Sequence, residues 1–142
     1  FYLPARLAFN TLAVFLQRVG DENVLPHIHV MLIFVEALSK ISCLKPLLAV
    51  PWQKVVDFLN TLAGKSKGST LHQNSEFPHS RTNGTEHCPE DFLIRRQIWA
   101  QLYWPTGWFD EVKTDLDERL FTHLSARKLR VDRILWLGVR IA

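Results

Sequence analysis

Residues 89–110, PEDFLIRRQIWAQLYWPTGWFD, constrain the fold more than any other stretch of this chain. They hold three of the five tryptophans (Trp99, Trp104, Trp108) together with Phe92, Tyr103 and Phe109. Aromatic side chains bury large areas and dominate core energetics, so so dense a segment must lie against much of the remaining chain. Pro89 suits the first position of a helix, and Glu90 and Asp91 behind it complement the positive end of the helix dipole. Helical spacing puts Ile94, Ile98 and Leu102 on one face and Phe92, Arg96, Trp99 and Tyr103 in a second, narrower strip. Pro105 then stops the helix, and Thr106-Gly107 turns Trp108 and Phe109 back toward the body. The segment reads as a packing keystone.

The rest of the chain supplies helices for it to pack on. Residues 4–19 carry Ala8, Leu12, Phe15, Leu16 and Val19 on an apolar face and Arg6, Asn10 and Gln17 on a polar one, closed by Gly20. Residues 26–42 are apolar except for a thin edge of His29, Glu36 and Lys40, which predicts a central helix. A buried strand at 30–35 is the competing reading, and the helical spacing of the polar positions argues against it. Residues 51–62 repeat the pattern with Trp52, Val55, Val56, Leu59 and Leu62, and Ser125 can cap a last helix over 126–142. Leu116, Leu120 and Leu124 mark a short helix within an acidic patch. Residues 64–88 are polar, with only Leu71 and Phe77 as large apolar groups, and read as a flexible surface insertion without core. The predicted class is all-α: antiparallel helical hairpins in a solenoid-like array, one domain over residues 1–142. The only Met is Met31 and the chain opens in mid-pattern, which reads as a fragment of a larger protein.

Several chemistries find no support. Gly64-Lys65-Ser66 lacks the Gly five positions earlier that a phosphate-binding loop needs, since Leu59 stands there and the preceding element is helical. His72, His79, His87 and Cys88 are irregularly spaced, unlike the tight pairs of zinc sites, and His27 and His29 read as a helix-end pair. Neither paired carboxylates nor a Ser–His–Asp arrangement stands out; Asp57, Glu36 and the acidic patch read as solvated charges. The expectation is a non-catalytic protein without cofactor or metal. Cys43 and Cys88, one in an apolar helix and one in a polar loop, do not form a disulfide framework, which suits a reducing compartment. No apolar run approaches the roughly 20 residues a membrane span needs, so no membrane partner is expected.

The net charge of +3 says little by itself, but its distribution says more. Arg95 and Arg96 lie beside Trp99 and Tyr103, while Arg127, Lys128, Arg130, Arg133 and Arg140 surround Trp136. Leu129, Arg133, Trp136 and Arg140 share one helical strip. Cations interleaved with flat rings are what single-stranded DNA or RNA requires, so Arg95, Arg96, Arg127, Lys128, Arg130, Arg133, Arg140 and Trp136 are the candidate nucleic-acid contacts. The competing reading is that these arginines stack on structural aromatics and pair with acids at the edge of a helical core.

The blocks PEDFLIRRQIWAQLYWPTGWFD (89–110) and RILWLGVRIA (133–142) resemble the two signature blocks of the ever-shorter-telomere (Est)/SMG family. PARLAFNTLAVFL and PWQKVVDFLNTL are similar to its upstream blocks, less specifically. Together they cover a little under half of the chain. The resemblance implies an Est-type DNA/RNA-binding helical domain, an adaptor of telomere maintenance or nonsense-mediated mRNA decay in nucleus or cytoplasm. Its partners would be nucleic acid and the proteins of a telomerase or mRNA-decay complex. The phosphopeptide-binding and nuclease domains of the family have no counterpart in these residues.

Overall fold

The computed structural model describes residues 2–41, 44–66, 76–79, 87–110 and 124–142. Within them the protein is all-α, and no strand occurs among the described residues. The described residues form six helices: α1 (Tyr2–Phe15), α2 (Leu25–Lys40), α3 (Leu44–Leu47), α4 (Trp52–Lys65), α5 (Pro89–Ile94) and α6 (Leu124–Ile141). Short 3-10 turns at Glu22–Val24 and Ile98–Ala100 join them. The helix expected at 116–124, Cys43 and His72 lie outside the described residues, apart from Leu124 itself.

α2 is the centre. It is rich in β-branched residues with modest helix propensity, and packing rather than propensity holds it: Ile28, Leu32, Ile33 and Val35 are all buried. It touches α1, α3, α5, α6 and the Ile98–Ala100 turn, and its most extensive contact is with α6. The strand alternative at 30–35 is thereby settled in favour of helix.

α1 folds back on α2 through a turn at Gly20, whose φ of +96° is a left-handed conformation that suits glycine. Phe9, Leu12 and Leu16 face inward, and the Phe15 ring lies 4.3 Å from that of His27. α6 runs parallel to α2: His29 and Arg130 both reach Glu90 at one end, while Glu36 meets Arg140 at the other. α4 runs antiparallel to α6, its first turn beside Ile141 and its last beside Arg127 and Val131. Gly138 makes that approach possible: a Cβ there would stand 2.7 Å from Leu59 Cδ1.

The long helix expected from Pro89 ends instead at Ile94. Gln97 is extended (φ −77°, ψ 130°), and the Gln101 side-chain amide donates to the carbonyls of Arg95 and Gln97 at 2.6 and 3.1 Å. The helical register is lost there. Ile98 and Leu102, expected to share one helical face with Ile94, are 91% and 79% exposed, while Ile94 is buried. The second turn forms as expected, with Gly107 at φ +76° and Trp108 buried behind it.

The polar insertion also departs from expectation. Pro78 and Cys88 are buried, and Phe77 packs edge-on against Tyr103, Trp108 and Trp136 at 5.1 to 5.5 Å between centroids. A single aromatic residue in a polar stretch is the anchor that ties it to the keystone.

Candidate functional site

The chemistry-bearing side chains converge where α5 meets α2 and α6. Glu90 and Asp91, the first-turn acids of α5, point into the fold rather than into water, and both are buried. Arg130 grips Glu90 through two parallel bonds, Nε to Oε1 at 2.6 Å and Nη2 to Oε2 at 2.8 Å, the fork geometry in which guanidinium binds carboxylate most strongly. His29 reaches the same Oε1 with Nδ1 at 2.8 Å. An ionised carboxylate only accepts, so Nδ1 carries the proton, and in the neutral ring Nε2 accepts from the Tyr103 hydroxyl at 2.7 Å. Burial alone would raise the Glu90 carboxyl, but the bonds from His29 and Arg130 outweigh it and bring the pKa down to about 2.

One helical turn further, Arg133 Nη1 donates to Asp91 Oδ2 at 2.7 Å, and the same oxygen accepts the Cys88 backbone N–H at 3.0 Å. The Arg133 guanidinium is completely buried, 5.0 Å from the Phe77 ring centroid and 5.1 Å from that of Trp108. Burial opposes its charge, yet Asp91 holds its pKa above the ordinary arginine value. Cys88 lies 3.7 Å from Arg133 Nη1, but burial pushes its thiol up to about 12, so it stays protonated and is no nucleophile at neutral pH. Burial likewise pushes the Tyr103 hydroxyl well above its usual value.

At the far end of α2, the buried Glu36 accepts from Lys40 Nζ at 2.9 Å and from Arg140 Nε at 2.8 Å. The Arg140 guanidinium lies 4.5 Å from the centre of the Trp136 ring. Glu36, expected to be a solvated helix-face charge, is a structural acceptor.

The basic-aromatic strip is therefore largely interior. Arg130, Arg133 and Trp136 are buried, so the expectation that they face a nucleic acid is corrected: their charges are already met by Glu90 and Asp91. Arg140 is partly exposed but engaged by Glu36 and Trp136. Arg96, Arg127 and Lys128 are exposed, with Arg127 bonded to Glu22 at 2.5 Å. Arg95 is half-buried beside Phe109, 5.9 Å from its ring centre. These four do not share the buried seam with the others.

Sequence reasoning missed the Tyr103–His29–Glu90 chain, the pairing of Asp91 with Arg133 and that of Glu36 with Arg140. The only signal was weak: His29 and Glu36, seven apart on the thin polar edge of a largely apolar helix. The Tyr103–His29–Glu90 order resembles an acid–base relay, but all three side chains are buried and neither of the two described surface grooves is lined by them. His87, which had no assigned partner, stacks on Phe109 at 5.2 Å and bonds the Trp108 carbonyl at 2.9 Å. Among the described residues no three His, Cys, Asp or Glu side chains are placed to hold a metal ion, and no helix is long and apolar enough to cross a membrane.

No family model matches the chain, and neither does any curated protein or solved structure.

Proposed function

We propose that this chain is a non-catalytic helical adaptor domain that works chiefly through protein contacts. The observation that carries this reading is the fate of the arginines. Arg130, Arg133 and Arg140, the heart of the basic strip, are engaged by Glu90, Asp91 and Glu36, while Leu3, Leu7, Val14, Ile98 and Leu102 stand exposed. A surface with scattered cations and large aliphatic groups favours protein partners over a phosphate backbone. The resemblance of residues 89–110 and 133–142 to the Est/SMG signature blocks gives the setting: telomere maintenance or nonsense-mediated mRNA decay, in nucleus or cytoplasm.

The test is affinity purification of the tagged chain with and without nuclease. Partners recovered equally in both arms support the adaptor reading; complete loss after nuclease sinks it. A second reading, direct contact with single-stranded DNA or RNA, retains Arg95, Arg96, Arg127 and Lys128 as accessible or partly accessible cations. In a gel-shift titration at two salt concentrations, the charge reversals Arg95→Glu and Arg96→Glu would have to abolish binding for it to prevail.

A further inference from the structure

We propose that the groove between the α1–α2 connection, the end of α4 and the start of α6 binds a short acidic-apolar peptide segment of a partner protein. The groove has a volume of about 410 Å³, within the range of ligand-binding clefts. Its floor is apolar: Val19, Leu25, Phe58, Leu62 and Val131. Leu25 and Phe58 belong to the buried core, so the floor is continuous with it, while Val19 is exposed at its edge.

The rim carries the selectivity. Two of its acids are already bonded, Asp21 to Arg18 at 2.8 Å and Glu22 to Arg127 at 2.5 Å. Lys65 and Lys128 are exposed and make no ion pair with another described residue, so the uncompensated charge at the mouth is positive. Gly20 helps to set this geometry: a Cβ there would stand 3.2 Å from Lys65 Nζ, so the bare backbone lets the ammonium lie across the rim.

A second feature points the same way. α6 has no acidic residue in its first turn, and Arg127 and Lys128 sit in or beside that turn. Cations there face the positive end of the helix dipole, an unfavourable arrangement that an anionic partner relieves. An apolar floor beneath uncompensated cations fits large apolar side chains flanked by carboxylates. It suits a nucleic acid less well, because the floor offers no exposed flat ring on which a base could stack.

The proposal rests on the adaptor reading, and the test separates them. The probe is a fluorescein-labelled dodecapeptide with two adjacent phenylalanines flanked by aspartates and glutamates, followed by anisotropy. Saturable binding is expected, weakened roughly tenfold by the double reversal Lys65→Glu/Lys128→Glu. Glu22→Gln, which frees Arg127, should tighten binding by about twofold to fivefold. All three positions are exposed, so thermal midpoints serve as the folding control. The proposal is overturned by absent saturable binding, by no response to the double reversal, or by equal binding of a peptide with glycines in place of the phenylalanines. Displacement of the peptide by an oligothymidylate at matched concentration would assign the groove to nucleic acid instead. If nuclease-resistant partners are all retained by the double variant, the groove fails while the adaptor reading stands. If the wild type captures no such partner, the adaptor reading itself fails.

Discussion

α6 has two seams made of opposite materials. Toward α5 and α2 it presents arginines that meet buried carboxylates; toward α4 it presents a glycine against the side chain of Leu59. The polar seam gains little net stability over a hydrophobic one, because desolvation offsets most of its Coulomb attraction. What it supplies is selectivity: a guanidinium accepts only a partner carrying a carboxylate in the right place. The aliphatic seam is the reverse, tolerant of chemistry and intolerant of volume. The comparison separates two ways of fixing one helix, one by charge identity and one by closeness of approach.

The strongest way to break the polar seam is Asp91→Ala, which leaves Arg133 buried without its carboxylate. A loss of about 3–5 kcal/mol is expected in urea denaturation, and a loss below about 1 kcal/mol would mean that the seam is not closed as described. Acid attacks the same seam more gently, because a protonated Glu90 keeps an acceptor oxygen. Its folded pKa, about 2, lies below the ordinary 4.5, so its contribution is fully present above pH 4.5 and is lost as pH falls toward 2. The thermal midpoint should fall across that window, and Glu90→Gln should flatten part of the dependence. The aliphatic seam is tested by Gly138→Ala, in which overpacking against the Leu59 side chain, offset in part by the helix propensity alanine gains, should leave a net loss of about 1–2 kcal/mol. Paired with Leu59→Ala it should cost less than the sum of the two single changes. The smallest effect belongs to Ile98→Ser, which should shift stability by no more than about 0.5 kcal/mol; a larger loss would return Ile98 to the core.

Period and punctuation made the helical class legible. α2, α4 and α6 lie close to where apolar spacing, Pro26 and Pro51 indicate, α1 begins before Pro4 and ends at Phe15 rather than Val19, and Gly20 and Gly107 both take the left-handed conformations their positions imply. What spacing could not report is direction. Leu129, Arg133, Trp136 and Arg140 do share a strip of α6, but periodicity cannot tell whether a strip faces water or carboxylates some 42 residues earlier in the chain. Residues 89–110 failed for a related reason. Continued as helix, Tyr103 would lie about 14 Å along the axis from Ile94. The break at Gln97 instead brings its hydroxyl to His29, a contact between residues 74 apart. Phe77 was seen as apolar but not as an anchor, because a lone aromatic ring carries no period.

The separations within the Glu90 network bear on how the chain reaches this state. Glu90 waits for a histidine 61 residues before it and an arginine 40 residues after it, and Glu36 for an arginine 104 residues away. Such closures form only after long stretches of chain have been ordered, which slows folding relative to a bundle stabilised by local contacts. α6 supplies Arg130 to Glu90 and Arg133 to Asp91, so the two buried acids have their guanidinium partners only when the last helix is in place.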